Sequence, residues 1–249
     1  MKNFFSFFKK KKGFTFPSPY KMAYVSTWDD AWGQNIKSFE KILELAKKED
    51  LNIPLTLFIS TNYKPKNISQ YKQIIKNNES KIESHSKTHI CCTKTGIDYS
   101  KLNKEDEYIE SQKKIKRDFG GQHGNTYAFP YGETKNINPE TWKLIKDKYI
   151  GARGINRGYF NKSSDIYNIP VKWLGGKYQI QNADVDLAIK NGYAIITFGH
   201  GVKGISGFQP VKKEYLVNHF KFLKKNEKDI WFTTFSELII YLKDTKQIK

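Results

Sequence analysis

The sequence predicts an α/β fold in which parallel strands are joined by helices. Short apolar runs alternate along the chain with segments of helical periodicity, the pattern of strand–helix–strand units. The chain has 249 residues, of which 38% are hydrophobic and 15% aromatic, and this composition is typical of a folded domain. We expect a single domain with a substantial core, because α/β barrels of this length are usually single domains.

The predicted strands are short runs of apolar or β-branched residues between polar turns. They span residues 21–28, 54–60, 81–84, 126–129, 149–153, 165–169, 193–198 and 230–233. In barrels and open parallel sheets, chemistry is carried at the carboxyl ends of the strands. Polar residues that directly follow these runs are therefore the first candidates for a functional site.

The predicted helices carry apolar residues at spacings of three and four. They span residues 36–48, 69–77, 104–119, 139–148, 183–191, 212–225 and 235–243. Pro139 stands near the start of one helix and Gly192 just after another, the positions at which proline and glycine are favoured.

The first residues, MKNFFSFFKKKKGF, are aromatic and basic. We predict a basic aromatic tail over residues 1–19 and one domain over residues 20–249. The apolar run Phe4–Phe8 contains Ser6 and is followed by lysines, whereas a secretory signal places its positive charge before a longer apolar run. No stretch approaches the roughly 20 apolar residues of a membrane span. The sequence predicts no export signal and no transmembrane segment, and by itself favours a cytoplasmic location.

The formal net charge of +18 favours anionic partners: nucleic acid, an acidic membrane surface or an anionic polymer. Arginine occurs only at Arg117, Arg153 and Arg157, and proteins that read nucleic acid depend on arginine for bidentate contacts. We therefore do not expect nucleic acid to be the partner. Cys91 and Cys92 are adjacent, which gives no disulfide framework.

Polar residues follow three of the predicted strands directly. Asp29 and Asp30 follow the first, the segment His85–His89 follows the third, and His200 follows the run YAIITF. On one helical turn, the spacing of His85 and His89 would place both imidazoles on one face, where they could share a cation. Two imidazoles and one carboxylate suit Zn²⁺ or a similar ion, with water completing the site. Asp30 would then bind the metal and leave Asp29 as a base.

These residues resemble the motifs of the polysaccharide deacetylase family, also called carbohydrate esterase family four or the nodulation-factor deacetylase homology domain. The family's Thr-Phe-Asp-Asp is matched by Thr27-Trp28-Asp29-Asp30, and its His-Ser/Thr-x-x-His by His85–His89. A motif ending in Pro-Tyr is matched by Pro130-Tyr131, and one ending in histidine by Gly199-His200. The ending IWFTTFSELIIYL also resembles family members, so the resemblance spans about residues 20–242.

The resemblance implies a distorted (β/α) barrel with about seven parallel strands and a site at their C-terminal ends. It implies metal-dependent removal of acetyl groups from glycans, above all N-acetyl groups, whose carbon–nitrogen bonds are not peptide bonds. By this resemblance Asp30, His85 and His89 hold the metal, which is zinc, or alternatively cobalt or nickel. Asp29 takes a proton from water on the metal as general base, and His200 acts as general acid. The backbone N–H of Tyr131 stabilises the oxyanion.

The sequence departs from the family pattern at two places. Ala128 stands where the family often has an arginine that orients the base. Arg153 is the candidate that could replace this arginine. The alternative is that Arg153 is an ordinary surface residue. The family's Asp-Trp motif, which tunes the acid histidine, has no clear match, and Asp184 and Asp186 are its only candidates.

Aromatic residues near the motifs provide candidates for sugar contacts. Trp32 follows the first acidic pair directly and is predicted to bind substrate, together with Pro130 and Tyr131. Trp28 and Trp173 are assigned to the core, where large aromatic side chains usually lie.

Two other functions stay open at this point. One is a carbohydrate-binding protein of the same fold with impaired catalysis, suggested by Ala128 and the missing Asp-Trp motif. The other is a basic binder of nucleic acid or another anionic polymer. The presence of both a base and an acid candidate, Asp29 and His200, favours the enzyme. The resemblance implies a location at the cell envelope or outside the cell, and the glycan substrate is not specified.

Overall fold

The computed structural model describes residues 13–31, 35–62, 68–91, 94, 96, 101–135, 137–177, 179–205 and 208–249. Within these residues the strands are β1 (Met22–Trp28), β2 (Leu55–Ile59), β3 (Lys81–Ser84), β4 (Thr126–Ala128), β5 (Gly151–Arg157), β6 (Ile169–Trp173), β7 (Ala194–Gly199) and β8 (Ile230–Thr233). The α-helices are α1 (Ile36–Lys48), α2 (Ile68–Asn78), α3 (Glu110–Phe119), α4 (Pro139–Lys148), α5 (Asn182–Asn191), α6 (Lys213–Lys225) and α7 (Phe235–Asp244).

The strands form a closed parallel barrel. Strands β2 to β7 pair in sequence order, β7 pairs with β1, and β1 pairs with β2 to close the ring. One edge of β1 is shared by two strands: residues 22–25 pair with β8, and residues 26–28 pair with β2. This sharing distorts the barrel at its seam. The prediction of a distorted barrel with about seven parallel strands is confirmed.

The core fills the barrel and the layer between strands and helices. Every residue of β1 and of β7 is buried, which explains why both appear in the sequence as nearly unbroken apolar runs. Helix α1 buries Phe39 and Ile42, and helix α6 buries Leu216 and Phe220. These helices hold the central strands in place and so fix the positions of the loops that follow them.

Two predicted elements differ from the structure. The predicted strand over residues 165–169 is wrong, because the chain turns there and β6 begins only at Ile169. Pro170 and Lys172 interrupt the apolar pattern of β6, and its pairing with β5 contains an irregularity. The predicted helix over residues 104–119 begins as a π-helical turn at Glu105–Ile109, and α3 follows it.

The predicted tail over residues 1–19 is described only from Gly13 onwards. In this part Phe14 and Phe16 are buried, and their rings contact Phe160 and Trp231, respectively. Residues 13–19 are therefore packed on the barrel and are not a tail, while residues 1–12 lie outside the described residues. No helix in the described part of the chain is long and apolar enough to cross a membrane.

A buried histidine makes the fold sensitive to acid. His219 in α6 shares a hydrogen bond of 2.9 Å with the Tyr24 hydroxyl and stacks on Tyr215. Burial lowers the pKa of His219 from 6.5 to about 4, so the unfolded chain binds a proton here before the folded chain does. This contribution to stability is complete above the unfolded pKa and is lost as the pH falls towards the folded one.

We expect His219 to account for about 3 kcal/mol of the free energy of unfolding that is lost on acidification through this window. The His219→Gln variant keeps a polar group beside Tyr24 but does not titrate, so its stability should fall less steeply. Urea denaturation of both proteins at a series of pH values measures the difference. Equal pH dependence would show that His219 is not the responsible group.

Candidate active site

The residues singled out in the sequence converge at one end of the barrel. Asp29 and Asp30 follow β1, His85 and His89 follow β3, and His200 follows β7. Together they line a cavity of about 530 Å³ at the C-terminal ends of the strands. A larger depression of about 830 Å³ lies between α1 and α2, but a mixture of polar and apolar helix and loop residues lines it and it contains none of these side chains.

Asp30, His85 and His89 form a compact set of metal-donor atoms. One donor atom from each lies within 4.8 Å of the others. Asp30 Oδ1 is 3.3 Å from His89 Nε2 and 3.7 Å from His85 Nε2. This carboxylate oxygen is buried and has no hydrogen-bond partner. A buried oxygen without a partner beside two imidazole nitrogens fits a bound cation.

A hydrogen bond fixes the orientation of His85. Its Nδ1 lies 2.8 Å from the carbonyl oxygen of Ala128, which can only accept. The proton of the neutral ring is therefore on Nδ1, and the Nε2 lone pair points to the other ligands. This arrangement is typical of histidines that bind metals.

The two histidines approach each other through a loop and not through a helical turn. Ser86 and His89 have positive φ values of 66° and 59°, in the left-handed region that only a few residue types tolerate. The His89 backbone N–H donates to Ser86 Oγ at 3.0 Å. The prediction that His85 and His89 lie on one helical turn is therefore wrong, although the two imidazole rings do lie 4.8 Å apart.

Glu107, which the sequence analysis missed, holds this loop in its conformation. Its buried carboxylate accepts hydrogen bonds from the backbone N–H groups of Lys87, at 3.1 Å, and Thr88, at 2.8 Å. The Thr88 hydroxyl donates to its other oxygen at 2.9 Å. Glu107 belongs to the π-helical turn before α3, and such turns often occur at functional sites. Only the folded chain places this residue beside the loop.

Arg153 lies directly against Asp29. Its Nη1 donates to Asp29 Oδ2 at 3.3 Å, and its Nη2 donates to Oδ1. The side chain is completely buried, and its guanidinium lies 4.6 Å from the centre of the Phe58 ring. The alternative of a surface arginine is wrong.

The barrel explains how Arg153 can stand in for an arginine at position 128. Ala128 in β4 and Arg153 in β5 are register partners on neighbouring parallel strands. The small side chain of Ala128 is therefore adjacent to the large cationic side chain of Arg153. The guanidinium reaches the base candidate from the next strand of the same barrel.

The Asp29 carboxylate is held in its charged form. Burial alone would raise its pKa, but the positive charge of Arg153, with smaller contributions from His85 and His200, outweighs burial and lowers the pKa below its ordinary value. Asp30 behaves differently: burial and the neighbouring Asp29 charge raise its pKa to about 6, although His85 opposes this. The two adjacent carboxylates thus have separate electrostatic environments, as a base and a ligand would need.

His200 lies across the site, with its Nε2 3.8 Å from Asp30 Oδ2. Its ring stands between Phe198 and Phe208, at centroid distances of 4.9 and 4.7 Å. Burial lowers the pKa of His200 to about 4. Asp184 is not its partner, because it pairs with Lys172 at 2.8 Å and caps helix α5.

The aromatic residues considered for sugar contacts differ in their burial and in their distance from the cavity. Tyr131 is 52% exposed, has a left-handed backbone, and places its ring 4.7 Å from that of His89. Trp32 lies outside the described residues. Trp28 is completely buried, as predicted. Trp173 was assigned to the core but is only partly buried and lines the cavity, as does the exposed Phe208.

Comparison with known proteins identifies the family. The family model described as polysaccharide deacetylase matches residues 18–150, which include Asp29, Asp30, His85, His89 and Tyr131. Arg153 and His200 lie beyond the matched segment, and their place in the site rests on the geometry and on the motifs quoted above. No curated protein matches the sequence.

Solved structures share the fold at low sequence identity. A probable polysaccharide deacetylase from Pseudomonas aeruginosa PAO1 is 14% identical, with a TM-score of 0.59 over 94% of this chain and 95% of that one. The Xyl-CE4 domain of a multidomain xylanase from the hindgut metagenome of Trinervitermes trinervoides is 17% identical, with a TM-score of 0.54 over 90% and 92%.

Puue allantoinase is 12% identical, with a TM-score of 0.57 over 94% of both chains. At these identities the structures establish the fold, and the family model establishes the family. The chain belongs to the polysaccharide deacetylase family.

Proposed function

We propose that this protein is a metal-dependent hydrolase that removes acetyl groups, in particular N-acetyl groups, from a polysaccharide or oligosaccharide. The observation that carries the proposal is one cavity in which a charged Asp29, held by Arg153, adjoins the donor set of Asp30, His85 and His89. Membership of the polysaccharide deacetylase family supports the reaction class. Removal of O-acetyl groups uses the same chemistry and is the alternative reaction.

The donor set suits a divalent metal, and we propose zinc, with cobalt or nickel as alternatives. Asp30, His85 and His89 would hold it. Such an ion supplies Lewis acidity and lowers the pKa of water towards about 7. The neutral state of His89 supports this assignment, because burial lowers its pKa to about 3 and one nitrogen of the neutral ring can then bind a cation at neutral pH.

Asp29 is proposed as the general base. It is ionised, and its Oδ2 is 3.9 Å from His85 Nε2, next to the donor set. The two hydrogen bonds from Arg153 restrict the rotation of the carboxylate and keep it from binding the cation in place of Asp30. A base of this kind contributes about 10²–10⁴-fold to a hydrolytic rate.

His200 is proposed as the general acid on the other side of the reacting carbon. It is neutral in the resting site because of its lowered pKa. Negative charge that develops on the acetyl oxygen would raise the affinity of His200 for a proton from solvent, and His200 would pass that proton to the leaving nitrogen or oxygen. Asp29 would return the proton that it took from water to solvent.

Tyr131 and the neighbouring aromatic residues are proposed to position the substrate. The left-handed backbone of Tyr131 turns the chain at the mouth of the cavity, and its backbone N–H is the proposed oxyanion donor. One such donor is worth about 3 kcal/mol in the transition state. Pro130 sets the entry to this turn, and the rings of Tyr131 and Trp173 offer surfaces for a sugar.

The second candidate function is carbohydrate binding without turnover. The observation that favours it is the environment of His200, which lies between two phenylalanine rings and has a strongly lowered pKa. A histidine that cannot take up a proton would leave a site that binds acetylated sugars and does not cleave them.

Metal content and acetate release test the proposal together. Purified protein should carry about one zinc-like ion per chain, and it should release acetate from N-acetylglucosamine oligomers. A chelator should stop the reaction, and zinc, cobalt or nickel should restore it. The His85→Gln variant should lose the metal, whereas His219→Gln, at a histidine outside the cavity, should keep it.

The possible failures are distinguishable. No bound metal after incubation with all three ions would contradict the metal-dependent reaction. Bound metal and bound oligomer without acetate release, across N- and O-acetylated glycans, would support the second candidate function.

The loop contact made by Glu107 leads to a separate prediction. The Glu107→Ala variant removes the carboxylate that accepts from the backbone N–H groups of Lys87 and Thr88 and leaves only the Glu107 carbonyl to accept from Lys87, at 2.9 Å, so metal affinity should fall about 10–100-fold. The Glu107→Gln variant retains a side-chain oxygen that can accept from both backbone N–H groups, so its metal affinity should fall less. Glu110→Ala, an exposed glutamate on α3, is the control, and competition with a coloured chelator measures the affinities. Equal affinity of Glu107→Ala and Glu110→Ala would contradict this role.

A further inference from the structure

The cavity opens between loops that carry a strongly positive charge. We define the mouth loops as the described residues within 85–103, 129–138, 174–181 and 200–212, which follow β3, β4, β6 and β7. They contain the exposed lysines Lys94, Lys101, Lys135, Lys177, Lys203 and Lys212. Lys94 lines the cavity itself, beside Tyr131 and His200. Within the described residues of these loops the one acidic residue is Glu133, which accepts a hydrogen bond from Cys91 at 2.7 Å.

The opposite end of the barrel has a different charge balance. The segments that lead into β2, β3 and β8 are residues 49–54, 79–80 and 226–229, and they carry the acids Glu49, Asp50, Glu79, Glu227 and Asp229. Lysines neutralise several of these, since Lys224 pairs with Asp50 and Glu227, and Lys21 pairs with Asp229. The opposite end also has exposed lysines, among them Lys190, Lys225 and Lys228, but its loops carry several acids beside them, whereas the described residues of the mouth loops carry one.

We propose that the acetylated glycan accepted by this site is anionic and carries carboxylate or phosphate groups close to the acetylated sugar. This inference rests on the proposed function and narrows its substrate class. A ring of cations around a cleft raises the local concentration of an anionic ligand and increases its association rate. Asp29, the charged acid inside the cavity, is already paired with Arg153 and so repels such a ligand little.

The use of lysine fits a polymer better than a single rigid anion. Lysine carries a point charge on a flexible stem, whereas arginine offers a fork that matches one carboxylate or phosphate. Lysines distributed over several loops can follow charges that repeat along a sugar chain. The contribution of each is screened by salt over about 8 Å at physiological ionic strength, so the preference should depend on salt.

Binding of two oligosaccharides of equal length tests the proposal. The hyaluronan hexasaccharide alternates N-acetylglucosamine with a carboxylate sugar, and the chitin hexasaccharide consists of N-acetylglucosamine throughout and is uncharged. Zinc-loaded protein should bind the hyaluronan oligomer about tenfold more tightly at low ionic strength, with most of the difference lost at high salt. N-acetylglucosamine 1-phosphate should compete more strongly than uncharged N-acetylglucosamine if the lysines also accept phosphate.

Matched triple variants locate the effect. Lys94→Gln, Lys177→Gln and Lys203→Gln together should reduce binding of the hyaluronan oligomer to the level of the chitin oligomer. Lys190→Gln, Lys225→Gln and Lys228→Gln remove the same charge from the opposite end and should leave the preference intact. Similar losses in the two triple variants, or equal affinity of the wild-type protein for both oligomers, would overturn the proposal.

Two further results can be distinguished from a preference for an anionic glycan. Tighter binding of a DNA oligonucleotide than of the hyaluronan oligomer, lost in the mouth variant, would overturn the proposal in favour of nucleic acid. Acetate release from either oligomer reports on the proposed function, so its absence from both would count against deacetylation while the binding comparison still decides the charge preference.

Discussion

The Asp29→Asn variant is expected to release acetate about 10³-fold more slowly than the wild-type protein while it retains its metal. Asparagine is nearly the same size as aspartate and can still accept a hydrogen bond from Arg153, but it cannot take up a proton at neutral pH. The donor set of Asp30, His85 and His89 is unchanged by the substitution. Initial rates of acetate release and the metal content of the same preparation measure the two effects.

A control is needed because the substitution also removes the countercharge of a buried arginine. Unfolding by urea shows whether Asp29→Asn remains folded under the assay conditions. Asp118→Asn removes a carboxylate that pairs with Lys114 on the surface of α3, at 2.8 Å, and should leave the rate unchanged. Turnover by Asp29→Asn within a few-fold of the wild-type rate would show that another group is the base.

The Arg153→Met variant is expected to lower the free energy of unfolding by about 3–5 kcal/mol. Methionine fills part of the space between Phe58 and Phe198, but it leaves the Asp29 carboxylate buried without its cation. Arg117→Met is the matched control, because Arg117 pairs with Asp118 at 3.0 Å while its side chain is 71% exposed. Such a surface pair contributes about 1 kcal/mol or less. Equal losses in the two variants would contradict the buried pair.

Loss of Arg153 should also change the pH dependence of catalysis. Burial raises the pKa of Asp29, and the arginine charge is the largest of the effects that lower it. Without that charge the carboxylate should bind its proton at higher pH, so the acid limb of the kcat/KM profile should move upwards. Arg153→Lys should shift it less, because the charge remains and only the paired hydrogen bonds are lost. An unchanged acid limb would show that Arg153 does not control the pKa of the catalytic base.

These two predictions concern a pair that local sequence cannot reveal. Asp29 and Arg153 are separated by 124 positions and lie on strands that are not neighbours in the chain. The register of the barrel, which pairs Ala128 with Arg153, places the guanidinium against Asp29. The sequence could suggest Arg153 as a candidate but could not distinguish it from a surface residue.

Several features of the fold and site followed from sequence alone. Strands β1 and β7 are buried on both faces, so their apolar runs are continuous and easily recognised. Asp29, Asp30, His85, His89 and His200 stand directly after such runs, and parallel strands bring their carboxyl ends to one edge. Local periodicity and the polar residues beside it therefore predicted parallel strands joined by helices and the composition of the donor set, and the resemblance to the family predicted the barrel.

Other features depend on contacts between distant segments, and these only the tertiary structure decided. Strand β6 contains Pro170 and Lys172 and has no clear apolar pattern, yet pairing with β5 and β7 makes it a strand. Trp173 belongs to the cavity because β6 ends there, and Glu107 supports the His85–His89 loop because a π-helical turn places it beneath that loop. Hydrophobic periodicity indicates which residues of a segment are buried. The partner of a buried charge depends instead on strand register and loop conformation, which involve distant parts of the chain.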